Sequence, residues 1–216
     1  MKALLIGTGS KWGEYFTNLL ANTHNYNIDL ITSSDYPSTE NVTCHKVNWY
    51  SLDLPMVQSI IPSLRIDPYD IVFFNQNTGG PFGESGFRRG TMTGLADFNQ
   101  HLFVNCYLPY ILIKELTDYI TPNTKICWML TGLIDGKDPD LWQYSGYGAV
   151  KSFNVHMLKG FANSHPGIFT GINPFWFPEG QEQNDAELIY NLIQSLTAES
   201  NGRMYFKDKR EWELSS

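Results

Sequence analysis

Cysteine is scarce in this chain: Cys44, Cys106 and Cys127 are the only three in 216 residues. Their number is odd and no Cys-x-x-Cys occurs, so neither a disulfide framework nor a thiolate metal site is expected. They read as small buried apolar residues of a reducing compartment, which points to the cytoplasm. The five His lack ligand spacing too, and no metal site is expected from them. Positive charge is also in short supply, with 15 Lys and Arg against 22 Asp and Glu, a net charge of −7 and a pI near 5.1. A nucleic-acid surface needs clustered Lys and Arg, and Arg88-Arg89 reads as a solvated loop pair instead. No apolar run approaches the roughly 20 residues that span a bilayer. The opening Met1-Lys2-Ala3-Leu4-Leu5-Ile6-Gly7 is too short an apolar stretch for a secretory signal.

What is present is an alternation of short apolar runs and helix-patterned segments from end to end. Buried strands are expected at Lys2–Gly7, Ile28–Thr32, Val42–Val47, Ile71–Asn75, Lys125–Thr131 and Ile168–Ile172, with a last one near Arg203–Phe206. Helices are expected at Gly13–Ala21, Leu54–Leu64, Leu95–Ile120, Tyr147–Asn163 and Ala186–Glu199. Such alternation implies an α/β fold: a Rossmann-like, doubly wound parallel sheet of about seven strands with helices on both faces. At 216 residues, one domain is expected over 1–216. Two stretches, Thr78–Thr93 and Gly136–Gln143, read as loops, and ligands of such sheets bind at the carboxyl ends of the strands.

Two patterns carry chemistry. The first strand runs straight into Thr8-Gly9-Ser10-Lys11-Trp12-Gly13 and then a helix. Glycine there lets backbone approach a pyrophosphate, and the helix N-terminus offers free N–H groups and a positive dipole end. The second pattern is Tyr-x-x-x-Lys. It occurs three times, as Tyr110/Lys114, Tyr147/Lys151 and Tyr205/Lys209, so the spacing alone decides nothing. Tyr147 stands out because a buried-looking strand precedes it and a helix-patterned run follows it. At i and i+4 the two side chains share one helix face. There a Tyr hydroxyl can give or take a proton while Lys⁺ favours its ionised form.

These motifs, in this order, resemble the short-chain dehydrogenase/reductase family along nearly the whole chain. The family's Thr-Gly-x-x-x-Gly-x-Gly appears as Thr8-Gly9 through Gly13-Glu14-Tyr15, and its Asn-Asn-Ala-Gly as Gln76-Asn77-Thr78-Gly79. Its helix-borne Asn appears as Asn105, the Ser ending strand five as Thr131, its Tyr-x-x-x-Lys as Tyr147 and Lys151, and its Pro-Gly as Pro174-Phe175. The chain is especially similar to the 3-oxoacyl carrier-protein reductase branch where strand two ends in Thr32-Ser33-Ser34 and strand three in Asn48. The resemblance implies hydride transfer between a nicotinamide and a carbonyl or alcohol of a small molecule, with Tyr147 as acid/base. Lys151 would also hold the nicotinamide ribose, Thr131 would bond the substrate oxygen, and Asn105 would hold a water that relays protons to Lys151. The dinucleotide would lie along Gly7, Thr8, Gly9, Ser10, Lys11, Trp12 and Gly13. Thr32, Ser33 and Asn48 would take its adenine side, and Asn77, Gly79, Lys151 and Pro174 would complete the site.

Selection of NAD usually needs an acidic residue at the end of strand two. Thr32 and Ser33 are neutral, Asp35 lies about a turn too far, and Lys11 could meet a 2′-phosphate. NADP is therefore expected ahead of NAD. Three departures stand against the family pattern: Tyr15 for the third glycine, Thr131 for Ser and Phe175 for Gly. Tyr15 implies a tilted or displaced first helix. The segment after residue 174 is too short for the usual substrate lid. The alternative reading is a catalytically weak or inactive nucleotide-binding relative that acts as a sensor. The apolar surplus in Leu95–Ile120 and Tyr147–Asn163, including Phe98, Phe103, Tyr107, Ile111, Phe153, Met157 and Phe161, suggests a homodimer or homotetramer, since the family pairs these two helices.

Overall fold

The computed structural model of the chain describes residues 1–76, 95–131, 134, 145–174 and 180–212, with backbone alone at 95–97 and 145–147. Seven parallel strands form one sheet in the order β3-β2-β1-β4-β5-β6-β7. They are β1 (Lys2–Ile6), β2 (Asn27–Thr32), β3 (Val42–Lys46), β4 (Tyr69–Phe74), β5 (Ile120–Met129), β6 (Ile168–Asn173) and β7 (Met204–Phe206). Helices are α1 (Lys11–Asn18), α2 (Leu54–Leu64), α3 (Leu95–Leu102), α4 (Leu108–Glu115), α5 (Ser145–Ala162) and α6 (Glu182–Ser195). This is the doubly wound sheet the sequence implied.

Alternating side chains leave β1 and β4 toward opposite faces. Ala3, Leu5, Ile71 and Phe73 join α1 and α6 residues such as Phe16 and Ile189 in one apolar layer. Leu4, Ile6, Val72 and Phe74 join α2, α4 and α5 residues in the other. In that second layer Trp128 stacks 4.8 Å from Phe74 and 6.1 Å from Phe169, and Phe161 of α5 lies 5.9 Å from Phe169. Rings of this size each bury on the order of 150–250 Å², so this row fixes α5 firmly across β4, β5 and β6. Local rules set the ends of α2. Asp53 Oδ1 accepts a hydrogen bond from Met56 N at 3.0 Å, Pro55 fills the first turn, and Val57, Ile61 and Leu64 form the buried stripe.

Several boundaries differ from expectation. The segment Leu95–Ile120 is not one helix. A π-helical turn at Phe103–Tyr107 separates α3 from α4, and Ile120 is already the first residue of β5. The strand begins that early because it pairs with Tyr69 across a register shift, where Thr124 Oγ1 donates to Tyr69 O at 2.6 Å. Helix α6 starts at Glu182 and stops at Ser195. A capping box from Thr197 to Ser200 then opens a separate short 3₁₀ turn. Among the described residues no helix is long and apolar enough to cross a membrane, and no group of three or more His, Cys, Asp or Glu could hold a metal ion.

Candidate active site

Strand order reverses between β1 and β4, and in open α/β sheets ligands bind outside the strand carboxyl ends at such a switch point. The Gly7–Gly13 loop lies there. Gly7 N donates to Ile31 O at 2.9 Å and Asn75 Nδ2 donates to Gly7 O at 3.0 Å, so the loop is tied to β2 and to the end of β4. Gly7 has φ +79°, and a Cβ on it would fall 2.1 Å from the Cα of Gln76. A side chain is barred there by both conformation and space. A Cβ on Gly13 would fall 2.3 Å from Thr8 O, which holds the start of α1 hard against the loop. Ser10 caps α1, with Gly13 N donating to its Oγ at 3.2 Å. The hydroxyl of Thr17 donates to Gly13 O at 2.8 Å and sits 3.3 Å from Thr8 Oγ1. The result is a closely packed loop that ends at the N-terminus of α1, a position where backbone N–H groups and the helix dipole favour an anion.

The other half of the site comes from α5 and the π turn. Lys151 is only 3% exposed, and its Nζ donates to Gln76 O at 3.4 Å and to Met129 O at 3.3 Å. These carbonyls lie at the carboxyl ends of β4 and β5. Burial drives the Lys151 pKa down to about 8, and its electrostatic coupling to Cys106 opposes the shift. Burial pushes the Cys106 thiol up to about 12, tempered by Lys151. Cys106 Sγ in turn donates to Val150 O at 3.5 Å, so the π turn is packed directly on the Lys151 helix.

Asn105 sits in that π turn and is fully buried. Its Nδ2 donates to His101 O at 3.0 Å, while Oδ1 has no hydrogen-bond partner. A buried acceptor left unmatched is costly unless water or ligand reaches it. Single π turns inside α-helices often mark functional positions. Gln76 joins the same group: its Nε2 donates to Val104 O at 3.2 Å and its Oε1 is buried without a partner.

No family model matches the sequence, and no curated protein does. Solved structures do match. A short-chain dehydrogenase/reductase from Brucella ovis superposes with a TM-score of 0.75 at 17% identity, covering 95% of this chain and 98% of that one. A carbonyl reductase from Pseudomonas aeruginosa PAO1 gives 0.75 at 12% identity over 98% and 99% of the two chains. An NADPH-bound carbonyl reductase from chicken fatty liver gives 0.74 at 13% identity over 98% of each. The fold is that of the short-chain dehydrogenase/reductases.

Within that fold the anticipated residues fall as follows. Gly7, Thr8, Gly9, Ser10 and Gly13 form the cradle. Trp12 contributes only backbone to it, because its ring is buried against Phe16 and Phe73, at 5.2 and 5.9 Å. Lys11 is exposed and 3.9 Å from Glu182 Oε1. Tyr15 is 42% exposed, and the buried face of α1 is Trp12, Gly13, Phe16 and Thr17. The ring of Tyr15 therefore does not wedge the helix away from the sheet. Thr32 is buried and accepts from Ser34 N, Ser33 is exposed, and exposed Asn48 accepts from Tyr50 N at 3.0 Å. Pro174 is buried just past β6, and Thr131 lies two residues past β5, its carbonyl accepting from Ile134 N. Tyr147 is on α5, one turn before Lys151, but its side chain lies outside the described residues, as do Asn77 and Gly79.

Two site residues escaped the sequence reading. Gln76 was matched to the family's Asn but given no role of its own. Buried His101 supports Asn105 from one turn earlier, and their i, i+4 spacing was the available signal.

Proposed function

We propose that the chain is an NAD(P)-dependent oxidoreductase of the short-chain type, which interconverts a carbonyl and an alcohol on a small molecule. The observation that carries this reading is a buried Lys151, held at the ends of β4 and β5 beside the Asn105 turn and across from the glycine cradle. A core with no such task would not retain a buried ammonium, whose desolvation is expensive.

The residues present fit a dinucleotide. Gly7, Gly9 and Gly13 keep the loop packed close on Gln76, Ser34 and Thr8, where any Cβ would collide, so the turn ends at the start of α1, where a pyrophosphate would sit. Thr32, Ser33 and Asn48 would take the adenine side. When bound, the nicotinamide supplies or accepts the hydride. Tyr147 gives a proton to the substrate oxygen in reduction, or takes it in oxidation. Its ordinary pKa of about 10 must fall two to three units for this near neutrality, which needs roughly 3–4 kcal/mol from Lys151 and the oxidised ring. Lys151 holds that charge in place and also binds the ribose. Thr131 orients the substrate oxygen, and Asn105 Oδ1 accepts from a water leading to Lys151. Thr32-Ser33-Ser34 and Asn48 remain the residues that point toward the 3-oxoacyl carrier-protein reductase branch.

Calorimetric titration with NADPH and NADH, followed by turnover on a ketone panel, tests the reading. Binding of at least one at sub-millimolar concentration is expected, with hydride transfer to some ketone. Absence of binding by both overturns it, and tight binding without turnover replaces it with the sensor reading.

We also propose a homo-oligomer built on α4 and α5. Tyr107 at the end of the π turn, Tyr110 on α4 and Phe153 on α5 are 58%, 48% and 52% exposed, while Phe161 is buried in the chain's own core. Aromatics are enriched at interfaces, and two-fold dimers are the commonest assembly. Light scattering is expected to give a mass at or above twice 24.7 kDa, and Phe153→Glu to shift it to one chain. A wild type of single-chain mass at micromolar concentration overturns the proposal.

A further inference from the structure

Two charged side chains meet at the carboxyl ends of β2 and β3. Lys46 is the last residue of β3, and its Nζ lies 2.5 Å from Oδ1 of Asp35, three residues past β2. Both are well exposed, at 59% and 93% of the side chain. Val47 N donates to Thr32 O at 2.8 Å, which ties the two strand ends together. Ser34 Oγ donates to Gly9 O at 3.2 Å, which ties β2's end to the cradle. A Cβ on Gly9 would fall 2.1 Å from that same Oγ. Hydroxyls and a cation therefore border the place where the adenosine ribose lies in such a fold.

Lys11, the cation anticipated from sequence, leans elsewhere. Its partner Glu182 opens α6, whose first turn also carries Asp185, ion-paired at 2.7 Å with Lys207 just past β7. That is the half of the sheet on the far side of β1 from β3.

We propose that Lys46 is the cation that recognises the 2′-phosphate of a phosphorylated dinucleotide, with Asp35 its resting partner, displaced when the phosphate arrives. The proposal rests on the dinucleotide reading above. An exposed ion pair is weak and screened by salt, so the exchange costs little. A phosphomonoester brings more charge and more acceptor oxygens than the carboxylate it displaces. Exposed Ser33, at the same strand end, has a hydroxyl to offer as a further donor, while that of Ser34 is committed to Gly9 O. Asp35 remains nearby as a like charge and tempers the affinity.

The test is calorimetry on the full chain with adenosine 2′,5′-bisphosphate and 5′-AMP, which differ only in the 2′-phosphate. The bisphosphate is expected to bind about tenfold or more tightly, the usual scale of one charge-assisted contact. Lys46→Ala should erase that preference and leave 5′-AMP and NADH affinity unchanged, Asp35→Asn should increase it, and Lys11→Ala should preserve it. Added salt should weaken the bisphosphate more than 5′-AMP. The inference is overturned if Lys46→Ala keeps the preference, or if Lys11→Ala is the variant that loses it. A wild type that binds NADH and 5′-AMP but gains nothing from the 2′-phosphate sinks the Lys46 inference alone. A wild type that binds none of these ligands sinks the dinucleotide reading with it.

Discussion

Tyr147→Phe is expected to lower turnover by about 10²–10⁴-fold, the ordinary worth of one positioned general acid, while dinucleotide affinity holds. The substitution keeps the ring and deletes only the hydroxyl. Thr131→Val, which keeps the shape and loses the hydroxyl, should lower turnover to a smaller extent, again without changing affinity. The internal control is Tyr110→Phe, at the same spacing from Lys114. Tyr110 is exposed on the outer face of α4, 5.8 Å from Phe161, and Lys114 is exposed as well. Neither is buried at the ends of β4 and β5 as Lys151 is, so Tyr110→Phe should be near neutral. Steady-state rates on a ketone that the wild type reduces, paired with calorimetric cofactor titration, check all three. Full activity in Tyr147→Phe, or greater damage from Tyr110→Phe, removes Tyr147 from the chemistry.

The pattern that sets Tyr147 and Lys151 apart from the other two pairs of that spacing is legible in the sequence. A buried strand, then a helix of period 3.6, is a strong signal, and β5 and α5 are where it put them. The same holds for the cradle: Gly7 has φ +79°, and a run from apolar strand into glycines is hard to build any other way. Other features were hidden for physical reasons. The π turn at Phe103–Tyr107 is followed by Pro109, whose missing N–H and ring break the ladder there; with no Gly or cap residue beside it, Leu95–Ile120 still reads as one continuous apolar-patterned helix. Trp12 sits in a motif position that suggests ligand contact. Its side chain is claimed by Phe16 and Phe73, because a large ring gains more from the apolar layer than from the crevice. Lys46 and Asp35 are eleven residues apart, and only the parallel pairing of β2 with β3 brings them together. Lys11 drew attention instead, because it stands inside the glycine motif.

Lys151 is expected to make the protein less stable than it could be, in a pH-dependent way. Its folded pKa of about 8 lies below the ordinary 10.5, since burial disfavours the ammonium. Below about pH 8 the amine is protonated both folded and unfolded, so the cost of burying its charge is present in full. Between pH 8 and 10.5 the unfolded chain carries a proton that the folded chain has shed, and stability rises with pH. Above 10.5 the amine is neutral in both states. A shift of this size corresponds to roughly 3 kcal/mol. Lys151→Met keeps the length and removes the charge, at the loss of hydrogen bonds that include the long ones to Gln76 O and Met129 O. Its Tm is therefore expected to exceed the wild type's by several degrees at pH 7, with the gap closing by about pH 10. Turnover should vanish and dinucleotide affinity should fall in the same variant, since the ammonium is assigned to both Tyr147 and the ribose. Scanning calorimetry across pH, beside rate and binding measurements, checks the combination. A Lys151→Met protein that is less stable at every pH would mean that the ammonium is a structural strut. One that is more stable yet fully active would mean that its charge serves nothing. Only gained stability together with lost chemistry fits a charge kept buried for catalysis.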